Sequence, residues 1–217
     1  MLVRSRLPLS TAAAIAVLGL AVGSSGAHNL FLSRPTFRIV WTPMSLRTLP
    51  RVECNVTMEG SFHSATFSKV VGALIGYITR AQVSVMAPCI GGEFWALNGN
   101  EVLEQRVVAN TLPWHVQYNG FTGTLPAIAG IIVAVLGLAF LLMDALEERC
   151  LYQAMPEAPA IATISVNNMG MLARWKWREE SRIPRAGGLF CMERAELVGG
   201  GTITQLGSTE TIAVRLI

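Results

Sequence analysis

Four cysteines, Cys54, Cys89, Cys150 and Cys191, are the residues of this chain best placed for covalent chemistry. Their count is even, and no two have the short C-x₂₋₄-C spacing that zinc sites use. Disulfides are therefore the expected use, provided the chain folds in an oxidising space. Three connectivities can be written for four cysteines. Cys54–Cys89 and Cys150–Cys191 are expected, because each closes a local loop of similar length. Each bridge would restrict the unfolded chain by roughly 2–4 kcal/mol.

The remaining reactive side chains make weaker groupings. His63 lies in Gly60-Ser-Phe-His-Ser64, with Ser61, Ser64 and Glu59 beside it, so a histidine-activated serine can be imagined. No G-x-S-x-G elbow accompanies it, and strand neighbours point to opposite faces, so a hydrogen-bonded structural histidine is expected. His115 would share an outer strand face with Gln117 and Asn119. Glu93, Glu101 and Glu104 are acids of the kind a glycosidase pairs, but nothing distinguishes them from surface acids. Trp175-Lys-Trp-Arg178, near Arg174 and Arg182, is a basic-aromatic cluster that could grip a glycan or an anionic polymer. Alternation puts both tryptophans on one face, where a core role is expected, with the cations in water.

Metal chemistry finds little support. The three histidines are far apart, and a single Asp, Asp144, cannot build a calcium loop. No catalytic residue, cofactor or metal site is expected. Asn55-Val-Thr57 is a glycosylation acceptor pattern that matters only in a eukaryotic host. Gly72-x-x-x-Gly76 lies outside the long apolar run, so it has little force as a membrane helix-pairing motif.

The elements that must position these residues read as strands. Val52 to Glu59 alternates cleanly, with Val52, Cys54, Val56 and Met58 on one face. Phe37 to Trp41 and Trp114 to Phe121 alternate too, and Pro43 and Pro50 bracket a loop. Two strands are expected within 65–86, a short one at Glu93 to Leu97, and a turn at Asn98-Gly99-Asn100. Further on come a hairpin of 161–166 and 171–177, a strand within 189–198, a turn at 199–201, and closing strands at 202–206 and 211–217. Short strands at this spacing predict an all-β sandwich or barrel. The division expected is 28–149 as a first β-rich unit and 150–217 as a second, or one continuous domain.

Residues 1–27 predict a signal peptide. Arg4 and Arg6 precede the apolar run Leu9 to Val22, and small residues lead to a cleavage site after Ala27. The mature chain would hold 190 of the 217 residues, and its formal charge would fall from +3 to +1. Such a chain has no electrostatic footprint for nucleic acid. The high apolar content, 52%, points to a heavily buried sheet, a membrane or envelope contact, or both. The arginine excess, with only Lys69 and Lys176 as lysines, fits a GC-rich genome.

From Leu125 to Met143 the chain carries no charge and is long enough to cross a bilayer as a helix. Three features favour buried strands instead. The segment continues a β-like run, and strands covered on both faces also read as unbroken Ile, Val and Leu. It is followed by Asp144, Glu147 and Glu148, without the basic cluster of a cytoplasmic flank. A span would also strand Cys150 and Cys191 in a reducing compartment.

The stretches Val52 to His63, Gly72 to Arg80, Leu112 to Tyr118 and Phe121 to Pro126 together resemble a group of uncharacterised exported proteins from GC-rich Gram-positive bacteria. The likeness covers residues 37–142, with a looser echo from Gly199 to Ile217. The resemblance implies a signal peptide and a secreted β-rich body, with no known activity. Where such proteins carry polar residues after Leu125-Pro126, this chain has its apolar run. The expected function is thus a non-catalytic structural or binding role at the cell envelope, with no identified partner. A single-pass membrane protein anchored by 125–143 and a carrier of a small apolar ligand are the alternatives.

Overall fold

The structure is a computed structural model that describes residues 29–49, 51–84, 89–97, 101–103, 106–143 and 147–217. The signal peptide, the cleavage position at Ala27, the turn at 98–100 and Glu104 lie outside these residues.

Every described element is a β-strand. In chain order they begin with β1 (Asn29–Leu32), β2 (Thr36–Arg47), β3 (Val52–Phe62), β4 (Thr66–Ser68), β5 (Leu74–Val83) and β6 (Glu93–Ala96). Then come β7 (Glu101–Leu103), β8 (Arg106–Val108), β9 (Trp114–Thr124), β10 (Ala127–Leu136), β11 (Ala139–Met143) and β12 (Arg149–Gln153). The last six are β13 (Ala160–Val166), β14 (Leu172–Trp177), β15 (Arg182–Gly187), β16 (Arg194–Val198), β17 (Gly200–Thr204) and β18 (Val214–Leu216).

Eight of these strands close a barrel in the order β2-β3-β5-β9-β10-β13-β14-β17. Closure comes from β17 returning to β2, where Thr202, Ile203 and Thr204 pair with Val40, Ile39 and Arg38. A closed ring leaves no unpaired edge among its members. The fold is therefore all-β, and of the two expected forms, sandwich or barrel, it takes the barrel.

A second sheet grows from the same strand. The last part of β2, Ser45 to Arg47, pairs with β16, and the order continues β16-β15-β12-β11-β6. Ile90, just before β6, bridges back to Glu53 of β3 through hydrogen bonds of 2.9 and 3.0 Å. This sheet thus curls towards a second ring that shares β2 and β3 with the first.

The switch between sheets has a covalent cause. Pro43, expected in a loop, sits inside β2 after a cis peptide bond, and the register slips between Trp41 and Met44. Proline lacks the N–H that a ladder requires, so the strand bulges there. Facing it, Gly199 carries the chain from β16 into β17 at φ 135°, a region that favours glycine. Gly200 and Gly201, expected in a turn, therefore belong to the barrel wall.

Alternation fills the inside. Val52, Cys54, Val56 and Met58 are buried as the period-two pattern requires. Trp41 stacks on Trp177 at 6.0 Å, and Phe37 lies 4.9 Å from Phe62 and 6.1 Å from Trp175. The long apolar run forms two strands of different kinds. In β10, Ile131, Val133 and Val135 join the main core. In β11 both faces are covered: Phe140 and Leu142 face that core, while Ala139 and Leu141 meet Leu97, Leu103 and Leu151.

The first ring is capped at one end by the small sheet β18-β1-β4, which places buried Leu30, Leu32, Phe67 and Val214 over the opening. Both sheets draw strands from either side of residue 150. The barrel takes β13, β14 and β17 from the later part, and the second sheet takes β6 and β11 from the earlier one.

Candidate functional site

All four cysteines are engaged, in the expected pairs. Cys54 bonds Cys89 with Cα atoms 4.5 Å apart, and Cys150 bonds Cys191 at 5.7 Å. Strand register puts both bonds on one rim of the second sheet. There β2 ends against the start of β3 (Leu46 with Val52), and the end of β11 meets the starts of β6 and β12 (Met143 with Glu93 and Arg149). The start of β16 meets the end of β2 on the same rim (Glu196 with Arg47). The loop 188–193 between β15 and β16 is stitched to β12 by the second bridge. It is braced by the Arg185 guanidinium, which donates to the carbonyls of Leu189 (3.1 Å) and Cys191 (2.8 Å). Its side chains Leu189 and Phe190 are exposed. Only 194–198 of the expected strand 189–198 is a strand.

Of the described histidines, His115 lies on the barrel's outer face and His63 is exposed just past the end of β3. His63 meets the edge of Tyr77 at 4.6 Å, and Tyr77 meets His115 at 5.2 Å, so a tyrosine separates the two imidazoles. Ser64 Oγ accepts from the backbone N–H of Thr66, a local turn contact rather than a nucleophile's pairing with His63. Among the described residues no group of three His, Cys, Asp or Glu is arranged to hold a metal ion. Glu93 is exposed at the start of β6, and the backbone of Glu101 belongs to β7.

The basic-aromatic cluster divides across β14. Trp175 and Trp177 are buried, and the Trp177 indole N–H donates to Met44 Sδ at 3.3 Å. Arg174 and Lys176 project outward from the same strand. The Arg174 guanidinium donates to the Gly200 carbonyl at 3.1 Å and lies against that glycine at the start of β17. Arg178 pairs with Glu180. A shallow depression of about 380 Å³ runs beside them, lined by Thr163, Ser165, Arg174, Lys176 and the Val198–Gly200 backbone. This wall can pair with an anionic group. It cannot stack on a sugar ring, because both indoles are inside.

The barrel wall is apolar inside and mostly polar outside, with Val40, Ile132 and Leu136 as apolar exceptions on its outer face. Arg38 and Arg80 flank Glu59 at 3.4 and 3.5 Å on the outer wall, with His115 and Lys176 on neighbouring strands. Membrane-spanning barrels show the reverse alternation. Among the described residues, no helix is long and apolar enough to cross a membrane.

Compared with known proteins, the chain matches no family model, no curated protein and no solved structure. The exposed apolar loop tips escaped the sequence reading. Their signal was faint: isolated Leu, Phe or Met residues next to Gly, Pro or Cys.

Proposed function

We propose that the protein is exported and serves a non-catalytic structural or binding role at the cell envelope. The observation that carries this reading is the pair of disulfides on one rim. Disulfides persist in oxidising compartments, and these two tie the chain at Cys89 to β3 and the loop 188–193 to β12. The leader-like residues 1–27 and the resemblance to exported Gram-positive proteins point the same way. Against a carrier role stands the barrel interior, which Trp41, Trp175, Phe37 and Met58 occupy where a ligand would lie. Against a nucleophilic site stands the outward, tyrosine-separated placement of both described histidines.

Expression of the whole chain in a Gram-positive host tests the reading. The protein is expected in the medium or envelope fraction, starting at His28, with all four cysteines alkylated only after reduction. Carbonate should release any membrane-associated fraction. Cytoplasmic protein with free thiols would overturn the proposal, and a hydrolase activity abolished by His63→Ala would overturn its non-catalytic part.

A further inference from the structure

The capped end of the barrel gathers the loops 33–35, 63–65, 69–73, 125–126, 167–171 and 205–213, because strands of an antiparallel ring alternate in direction. From these loops and the chain end, Val70, Val71, Leu125, Met169, Leu206 and Ile217 stand exposed, Met169 at 81% and Val71 at 66%. The tips are held rather than loose. Asn167 Oδ1 accepts from the N–H groups of Met169 and Met171 at 3.0 Å, and the Val214 N–H donates to the Gly170 carbonyl at 2.8 Å. The Gly72 N–H likewise donates to the Tyr118 carbonyl at 2.8 Å.

Charge at this end is lopsided. Its loops and the cap sheet carry Arg34, Lys69 and Arg215; Glu210 is the one acidic side chain among them, and it pairs with Arg34 at 3.7 Å. Lys69 rests over Phe121 at 5.9 Å, and Arg215 over Phe31 at 4.7 Å. The disulfide-bearing rim also exposes Leu49, Ile90, Leu189 and Phe190, but there Glu93, Glu147, Glu148 and Glu193 stand with Arg149, Arg185 and Arg194 beside the pairs Arg47–Glu196 and Arg51–Glu53. Among the described residues the charges of that rim nearly cancel, whereas the cap keeps the excess cations that an anionic surface attracts.

The route of the chain agrees. The leader's apolar run ends at Val22, six residues short of Asn29 on the cap sheet. Six residues reach at most about 20 Å. While the leader is in the bilayer, the cap is the end held against it. Cleavage after Ala27 would leave a new α-amino group at the same end.

We infer that the capped end is a docking face for an anionic lipid bilayer. Its apolar tips enter the headgroup boundary, and Lys69, Arg34 and Arg215 meet lipid phosphates. This names the partner of the proposed envelope role and rests on that role. The test uses exported, oxidised protein sedimented with phosphatidylcholine vesicles, with and without phosphatidylglycerol. Binding is expected only with phosphatidylglycerol and should weaken in high salt. Met169→Asp with Val71→Asp should weaken it at least about tenfold, and Lys69→Gln about fivefold. Phe190→Asp, on the other rim, should leave it unchanged, and matched thermal melts confirm that all variants fold. The inference is overturned if exported protein ignores anionic vesicles, or if Phe190→Asp abolishes binding while the cap variants do not. It is also overturned if the cap substitutions instead dissolve a lipid-free dimer. Any of these leaves the envelope reading standing, whereas cytoplasmic, reduced protein removes both.

Discussion

At the scale of single residues, packing against the barrel's aromatic interior sets the tolerances. A Cβ on Gly201 would lie 2.7 Å from Ile39 Cγ2 and 2.8 Å from the Trp41 ring, so any larger residue there must displace these packed side chains. Gly201→Ala should destabilise by roughly 1–3 kcal/mol, read from denaturant midpoints, although the same change in an open strand would stabilise. Burial pushes the Tyr152 phenol above its ordinary value, partly offset by the Arg185 charge and a backbone hydrogen bond at Met192. Burial pushes Tyr118 up as well. Both phenols stay protonated longer in the folded chain than in the unfolded one. Their contribution is complete below pH 10 and falls away as the pH rises towards their folded values. Stability should therefore decline as the pH rises above about 10 in denaturant titrations, and Tyr152→Phe should flatten that decline. The inward faces of Val52–Met58 and of Trp175 and Trp177 were legible, because period two is a local property. The need for glycine at 201 was not, since its neighbours lie about 160 residues earlier in the chain.

At the scale of elements, the greasy segment 125–143 is the informative case. Its composition fits a lipid-facing helix, a two-faced strand or an alternating strand, and hydropathy cannot separate them. The structure uses the last two in succession, with Gly137 at φ 76° near the break between β10 and β11. A strand makes a period-two prediction. Ile131→Ala, inside the core, should cost roughly 2–5 kcal/mol, and Ile132→Ala, on the outer side, about 1 kcal/mol or less. Equal costs in chemical melts would contradict the alternation. β15 was missed because Arg182-Ile-Pro-Arg lacks strand composition, and Pro184 pairs only with β16. Pro43 misled in the opposite direction: it marks a bulge within a strand, which local rules read as a loop.

At the scale of the whole molecule, β2 runs through the barrel and the second sheet, β3 is bridged to the latter through Glu53 and Ile90, and strands from early and late sequence interleave. Residues 28–149 expressed alone should lack dispersed amide signals in NMR spectra, because β10 and β2 lose β13 and β17. The intact chain should melt in one calorimetric transition. Two separated transitions would contradict the shared core. By itself, the chain's text determined the all-β class, most strands and the inward side of Trp175 and Trp177, for these follow from periodicity and turn residues, and cysteine spacing favoured the observed disulfide pairs among three connectivities. Only the tertiary structure decided that the strands close into a ring, that β2 serves two sheets, and that apolar tips and cations gather at one end. Closure and clustering depend on contacts between residues far apart in sequence, and no local pattern encodes which distant strand completes a hydrogen-bond ladder.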